Sequence, residues 1–206
     1  MSAITARGRA KAERSDALRH AAAQLFAERG YTDVSLDEIG QAAGVSGPAV
    51  YRHFHGKQAL LGEVLVKVSD DLLAGGQEVI ERITEARARM RALVDFHVAF
   101  ALSNSDVIRV QDRDLAHLSE NDRSEVRRLQ RGYIDLWVDS LTALRTGSAE
   151  EQRLRVQACF GLINSTPHST RRSTREDTTA ARILQEMAFA ALLSGAQGAS
   201  AHPIAQ

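Results

Sequence analysis

The chain has 206 residues, 44% of them hydrophobic and 25% charged, which is enough to bury a core and argues against a disordered or fibrous protein. Its 26 basic and 26 acidic side chains cancel, so any nucleic-acid surface must be a local patch. A single cysteine, Cys159, excludes an internal disulfide and a cysteine-based metal site, and no apolar segment reaches the roughly 20 residues of a membrane span. We therefore expect a cytoplasmic protein without a membrane partner.

The first residues predict a basic arm followed by a helix. Residues 1–14 carry four basic side chains and one acidic side chain, which is typical of a flexible arm that could fold onto a polyanion. Ser15 can cap a first helix that ends at Gly30. Few prolines, abundant alanine, leucine, arginine and glutamate, and no alternating segment of strand length predict that the whole fold is all-α.

Two short helices are predicted next. Ser35 and Glu38 have the spacing of a capping box, which starts the second helix. Ser46 can cap a third helix, which has Pro48 in its first turn and runs to about Phe54. Two short helices joined by a glycine-containing turn are typical of a DNA-binding helix-turn-helix.

This helix-turn-helix, at about 36–55, indicates how DNA would be bound. A recognition helix enters the major groove by its N-terminal end, where small residues allow close approach and Pro48 can meet a thymine methyl group. Arg52 can donate twice to a guanine edge. Phosphate contacts position the protein without reading sequence, and they are predicted for Tyr51, His53 and Lys57 and for the backbone N–H groups of the helix that Ser35 caps. The predicted DNA-binding residues are Ser35, Ser46, Gly47, Pro48, Ala49, Tyr51, Arg52, His53 and Lys57.

An ordinary three-helix packing unit, with Tyr51 and Phe54 in its core, is the alternative. The order of the motifs favours DNA binding: a basic arm, then Phe26-Ala-Glu-Arg-Gly30, Tyr31-Thr-Asp-Val-Ser35, Ile39-Gly-Gln-Ala-Ala-Gly-Val-Ser46 and Ala49-Val-Tyr-Arg-His-Phe54 before Lys57. Over residues 15–65 this order closely resembles the TetR/AcrR family of bacterial one-component transcriptional regulators.

The resemblance implies a dimer whose two recognition helices read a palindromic operator, and a C-terminal half that binds a small effector. It also implies that six positions approach DNA: Ser35, Gly47, Pro48, Tyr51, His53 and Lys57. Arg52 departs from the family pattern, which often has an aromatic residue there, so a base contact by Arg52 is inferred from its chemistry alone.

The second half predicts further helices. A fourth helix from Lys57 is expected to kink or break at Gly75 and Gly76, and others follow at about 87–103, 106–117, 122–145, 149–165 and 177–194. The predicted organisation has about nine helices: a DNA-binding domain at 15–60, an effector-binding and dimerisation domain at 61–195, and a flexible tail at 196–206.

Apolar stripes on the helices at 87–103 and 122–145 predict an effector pocket, although such stripes also occur in an ordinary core. Its predicted residues are Phe96, His97, Phe100, Asp112, Tyr133 and Trp137. The pattern from Val110 through Asp114 to Trp137 resembles actinobacterial relatives, and some similar regulators sense acyl-CoA thioesters, so a small hydrophobic effector such as an acyl-CoA is favoured.

The last two predicted helices have apolar residues on two faces, one of which could cover a symmetry mate. The predicted homodimer interface contains Val156, Phe160, Ile163, Leu184, Ala188 and Leu192, and burial within a monomer is the alternative.

The sequence therefore predicts a DNA-binding transcriptional regulator, a repressor released by its effector, with no cofactor, metal or catalytic residue. An enzyme that uses His97, Asp112, His117 and Glu120 is disfavoured because their spacing is not that of a metal site and no nucleophile with a partner base is evident. A helical lipid carrier that does not bind DNA is the third class.

Overall fold

The computed structural model describes residues 6–165 and 178–195, and the regular elements in these ranges are all helical. In chain order they are α1 (Ala6–Arg29), α2 (Leu36–Ala42), α3 (Gly47–Val50), α4 (Lys57–Arg82), α5 (Ala86–Ser103), α6 (Ser105–Asp114), a 3-10 turn (Leu115–His117), α7 (Glu120–Thr142), α8 (Ala149–Asn164) and α9 (Thr178–Leu193). The all-α prediction is confirmed. None of these helices is long and apolar enough to cross a membrane. The tail predicted at 196–206 lies outside the described residues.

The chain divides into two compact units, and the division differs from the predicted boundary near residue 60. Unit 1 comprises Met1–Asp71 and Asn104–Gln130, and unit 2 comprises Leu72–Ser103 and Arg131–Gln206. Helices α4 and α7 therefore contribute to both units, whereas α6 belongs to unit 1. Side chains of α4, α6 and α7 share one core with those of α1–α3: Leu60, Leu61, Val64, Leu65, Val110 and Val126.

Helix α1 begins at Ala6 and not at Ser15, so the described part of the predicted flexible arm is helical. The physical reason is its composition of alanine, arginine, lysine and glutamate, which are strong helix formers. Ser15 lies inside the helix and does not cap it, and its Oγ accepts a hydrogen bond from Arg19 at 2.9 Å.

Helix α4 runs unbroken through Gly75 and Gly76, which corrects the predicted kink. A Cβ at Gly76 would lie 2.7 Å from Cε2 of Tyr133, and a Cβ at Gly75 would overlap the ring of Phe96. Both glycines thus let an aromatic ring lie against the helix backbone, and this packing offsets a propensity cost of about 1 kcal/mol per glycine.

The predicted dimer-interface residues are mostly internal, which corrects that assignment. Val156, Ile163, Ala188 and Leu192 are fully buried within the single chain, and Phe160 and Leu184 are half-buried. They face inward because α8 and α9 pack on each other and on α5. The exposed apolar side chains of these two helices are instead Leu154, Ile183 and Met187.

Candidate nucleic-acid interface

The N-terminus of α2 is closed by a carboxylate from its own first turn. The Ser35 N–H donates to Glu38 Oε2 at 2.8 Å and the Glu38 N–H donates to Ser35 Oγ at 3.2 Å, which confirms the predicted capping box. These bonds to Ser35, followed by that from Arg29, lower the pKa of Glu38 to about 2. The Ser35 N–H and hydroxyl both donate to Glu38. A phosphate contact at this helix N-terminus stays a prediction, and it would use other backbone N–H groups of the first turn.

Helices α2 and α3 are held together by a tight turn. Gly44 has a φ of +66°, and the Val45 N–H donates to the Gly40 carbonyl at 2.8 Å. A Cβ at Gly40 would lie 2.6 Å from Cγ2 of Val50, so only glycine allows the two helices to approach this closely. Val50 is fully buried, and this fixes which face of α3 points outward.

The outward face of α3 carries the predicted recognition residues. Ser46 and Pro48 are exposed, and the Ser46 side chain makes no capping hydrogen bond. Helix α3 ends at Val50, earlier than predicted, but a helical turn continues to Phe54, whose N–H donates to the Val50 carbonyl at 3.0 Å. Phe54 is buried, whereas Tyr51 is 56% exposed. The alternative that places Tyr51 in a packing core is therefore wrong.

A groove of about 850 Å³ lies beside this face and is shared with α1. It is lined by Gly8, Lys11, Arg14, Gly44, Val45, Ser46, Ala49, Arg52 and His53. The side chains of Lys11, Arg14 and Arg52 form no ion pair or hydrogen bond with any residue in 6–165 or 178–195. We name this groove, with its three cations, the basic groove.

The position of His53 in the basic groove lowers the pKa of its side chain. Partial burial lowers the pKa of His53, and the charges of Arg14, Lys11 and Arg52 lower it further, whereas Glu63 on α4 opposes them. The shift therefore indicates an excess of positive charge around His53, which a bound phosphate would neutralise.

Lys57 has a different role from the predicted phosphate contact. Its Nζ donates to the carbonyls of Tyr31, Thr32 and Val34 at 2.7, 3.2 and 2.8 Å, and it lies 4.5 Å from the centre of the Tyr31 ring. An ammonium group has three N–H donors, and all three are used here. Lys57 therefore positions the loop between α1 and α2.

The same loop is also contacted by α6 and the 3-10 turn. The ring of His117 stacks on Tyr31 with centroids 4.6 Å apart, and the Arg113 guanidinium donates to the Phe26 carbonyl at the end of α1. These contacts tie α6 and the 3-10 turn to the end of α1 and to the loop before α2.

The predicted effector residues of α5 and α7 meet in an aromatic cluster in unit 2. His97, Tyr133 and Trp137 are buried, and the His97 ring stacks on Phe160 with centroids 4.5 Å apart and planes inclined by 12°. Phe96 and Phe100 are half-buried on the same helix as His97. Asp112 is exposed and belongs to unit 1, so it is not part of this cluster, which corrects that prediction.

Four residues of the basic groove and the aromatic cluster are absent from the predicted DNA-binding and effector-pocket residues. Lys11 and Arg14 were assigned only to the arm, Phe160 to the dimer interface, and Asn164 to no site. Phe160 and Asn164 lie one helical turn apart on α8, a spacing that could have placed them on one face. Across the described residues, no three histidine, cysteine or acidic side chains are grouped to hold a metal ion.

Known families and proteins resemble the chain in both halves. A family model described as "Bacterial regulatory proteins, tetR family" matches residues 18–64, and one described as "Tetracyclin repressor-like, C-terminal domain" matches residues 84–168. The HTH-type transcriptional repressor KstR2 of Rhodococcus jostii (strain RHA1) is 30% identical over 158 residues, which cover 76% of this chain and 77% of that protein.

Solved structures share the fold. A TetR-family transcriptional regulator from Bordetella parapertussis 12822 superposes with a TM-score of 0.77 at 24% identity, covering 88% of this chain and 94% of that one. FadR from Bacillus subtilis, solved in complex with stearoyl-CoA, has a TM-score of 0.69 at 18% identity, covering 88% of this chain and 99% of that one.

Proposed function

This chain belongs to the tetR family of bacterial regulatory proteins, and from that premise we propose that it is a repressor that binds a palindromic operator as a dimer and is released by a small hydrophobic effector. The family consists of DNA-binding transcriptional regulators and not of enzymes, so the catalytic alternative is withdrawn.

The basic groove is the observation that carries the DNA-binding proposal. Lys11, Arg14 and Arg52 remain without acidic partners in the part of the chain that the structure describes, although the chain as a whole has no net charge. Free cations beside an exposed recognition helix are suited to phosphates, and the exposed guanidinium of Arg52 can donate two hydrogen bonds to a guanine edge.

Selection of bound duplexes from a random DNA pool tests this proposal. We expect an enriched palindrome whose half-sites lie about one helical turn apart. Lys11→Ala combined with Arg14→Ala should make the plot of log affinity against log salt shallower by about 0.9 for each phosphate that the variant no longer neutralises. Lys67→Ala is the control, because Lys67 is paired with Asp71 on α4. An unenriched pool, or equal salt slopes for the double variant and the wild type, would contradict the proposal.

The dimer proposal now rests on a different face of α8 and α9. Leu154, Ile183 and Met187 are 65%, 44% and 52% exposed, and a Cβ at Gly161 would meet no atom within 4 Å. Exposed apolar side chains beside small residues suit an isologous helix-to-helix interface.

Sedimentation tests this face. Ile183→Glu combined with Met187→Glu should convert the dimer to monomers, because two carboxylates would be buried without partners. Lys67→Glu on α4 serves as the charge-matched control. If the double variant sediments as the wild type does, the assigned face is wrong.

The effector proposal is supported by the aromatic cluster and by the named relatives. FadR from B. subtilis was solved in complex with stearoyl-CoA, and an acyl-CoA is therefore the candidate effector for this chain. Its hydrocarbon part would meet Phe96, Phe100, Tyr133 and Trp137, with His97 as a polar group among them.

Helix α4 supplies a route for release. Its first residue, Lys57, holds the loop before α2, and its Gly75 and Gly76 lie against rings of the aromatic cluster. A ligand that displaces Phe96 or Tyr133 would therefore favour another setting of α4 and of the recognition helix. We expect stearoyl-CoA to weaken operator binding and operator DNA to weaken stearoyl-CoA binding by the same factor. If stearoyl-CoA binds without any effect on operator affinity, this route fails.

A further inference from the structure

An acidic side chain lies beside the first turn of the recognition helix. Asp37 is the second residue of α2, and it is exposed. A Cβ at Gly47, the first residue of α3, would lie 3.0 Å from Asp37 Oδ1, so the carboxylate lies directly against the backbone at which α3 begins. The N-terminal end of a recognition helix approaches the base edges of DNA. The Asp37 carboxylate is therefore next to the predicted base contacts.

This carboxylate has no partner of its own. Neither oxygen of Asp37 forms a hydrogen bond or an ion pair within the part of the chain that the structure describes. The next residue, Glu38, differs: its carboxylate accepts from the N–H and hydroxyl of Ser35 and is paired with Arg29 at 2.8 Å. The start of α2 is thus closed by Glu38, and both oxygens of Asp37 are available to another molecule.

The charge of Asp37 limits what it can contact on DNA. Lys11, Arg14 and Arg52 beside the same helix attract phosphates, whereas a carboxylate repels them and weakens sequence-independent binding. A hydrogen-bond donor on a base would compensate for this repulsion. In the major groove, cytosine presents the donor N4, guanine presents two acceptors and thymine presents one acceptor. A carboxylate therefore favours cytosine and disfavours guanine.

We propose that Asp37 is a specificity-determining residue that accepts a hydrogen bond from N4 of one cytosine in each operator half-site. The assignment rests on the proposed DNA-binding function and extends base reading from α3 to α2. It complements Arg52, which would donate to a guanine edge. The alternative is that Asp37 only stabilises α2, because a carboxylate in the first turn of a helix interacts favourably with the helix dipole.

Selection of bound duplexes from random DNA, followed by affinities for single-base variants of the selected operator, tests this role. At one position of each half-site, the wild type should prefer cytosine by about five- to tenfold. Asp37→Asn keeps the shape of the side chain and should shift the preference at that position to adenine, because an amide pairs with N6 and N7 of adenine. Asp37→Ala should abolish the preference there and keep the preferences at the other positions.

A second measurement uses duplexes of unrelated sequence. Asp37→Asn and Asp37→Ala should both bind them more tightly than the wild type does, since each variant removes a negative charge next to the DNA. Asp70→Asn is the charge-matched control, because Asp70 is an exposed aspartate on α4, outside the helix-turn-helix. It should change neither the base preferences nor the affinity for unrelated duplexes. Urea unfolding of each variant checks that it remains folded.

The contrary outcomes are separate. An unenriched pool would overturn both the proposed function and the role of Asp37, because a protein that selects no sequence has no specificity-determining residue. An enriched palindrome with the same base preferences in the wild type, Asp37→Asn and Asp37→Ala would overturn only the role of Asp37. If the variants change the affinity equally at every position, Asp37 acts on the phosphates alone, and the assignment to a base is wrong.

Discussion

The basic groove of unit 1 and the aromatic cluster of unit 2 each contain a histidine whose pKa is lowered chiefly by burial, but neighbouring positive charges add to the shift only in the groove. His53 is partly buried and lies in the field of Arg14, Lys11 and Arg52. His97 is fully buried among rings, and burial alone lowers its pKa to about 4. The groove therefore has unbalanced positive charge that favours an anion, whereas the cluster disfavours charge of either sign. This contrast separates a surface suited to DNA from a site suited to a neutral, apolar molecule.

The largest expected effect concerns acid stability and His97. The unfolded chain has an ordinary histidine pKa of 6.5, so between pH 6.5 and about 4 the unfolded state binds the extra proton. Above pH 6.5, the protonation of His97 should therefore leave the free energy of unfolding unchanged. As the pH falls from 6.5 to about 4, it should lower the free energy of unfolding by about 3 kcal/mol in total.

Urea unfolding of wild type and His97→Phe over this pH range measures that contribution. The variant keeps the ring stack and should lose stability less steeply on acidification. Parallel pH profiles for the two proteins would show that His97 is not held neutral by burial, and the contrast with His53 would then fail.

Packing inside the cluster gives the second prediction. Gly76→Ala should lower the free energy of unfolding by about 1–3 kcal/mol, because its Cβ would overlap the Tyr133 ring. Gly132→Ala on α7 is a matched helical control: its Cβ would lie 3.5 Å from Leu73, an ordinary contact, and should stabilise by about 0.5–1 kcal/mol. Equal effects at the two glycines would mean that the cluster is loosely packed.

These regions also differ in how far the sequence could predict them. The helix-turn-helix was predictable because its signals are local: Ser35 with Glu38, Ser46 before Pro48, and a positive-φ glycine at 44 all lie within one or two turns of the elements they define. The exposure of Tyr51 follows once Val50 is placed inward.

Contacts distant in sequence were not predictable. Lys57 donates hydrogen bonds to carbonyls more than twenty residues earlier in the chain, and nothing near Lys57 in the sequence indicates those acceptors. Helices α8 and α9 are apolar on two faces, so their periodicity could not show which face packs on α5. Gly75 and Gly76 suggested a break because their ring partners come from other helices.

Arg52 tests whether the groove reads sequence as well as charge. Arg52→Ala should cost about 1–3 kcal/mol at one base pair of the selected operator and preserve the preferences at the others, because alanine cannot donate the two hydrogen bonds to guanine. Affinities for single-base operator variants provide the measurement. If the variant retains the wild-type order of preference at every position, Arg52 contacts phosphate only.

Lys57, whose ammonium group donates to three carbonyls, can be compared with Lys11, whose ammonium group has no such partner. Lys57→Met should lower the free energy of unfolding by about 1–3 kcal/mol, since three carbonyls would be without their charged donor, and should keep the salt dependence of operator binding unchanged. Lys11→Ala should do the reverse, with a shallower salt dependence and little change in stability. A shallower slope for Lys57→Met would restore the phosphate contact that the sequence predicts.

The smallest effect concerns the proton on His53. In the free protein its pKa is lowered, so the ring is mostly neutral at neutral pH. A bound phosphate would favour the charged ring and raise that pKa, and DNA binding would then take up a proton. Operator affinity should therefore rise as the pH falls through the pKa of the complex, by at most tenfold per pH unit, and should level off below the pKa of the free protein. Glu63 on α4 opposes the three cations and limits the shift.

Operator titrations between pH 5.5 and 8 would show this dependence in the wild type and its loss in His53→Gln, with His55→Gln as the control. If His53→Gln keeps the full pH dependence, no proton is taken up at His53, and the positive charge of the groove acts through its lysine and arginines alone.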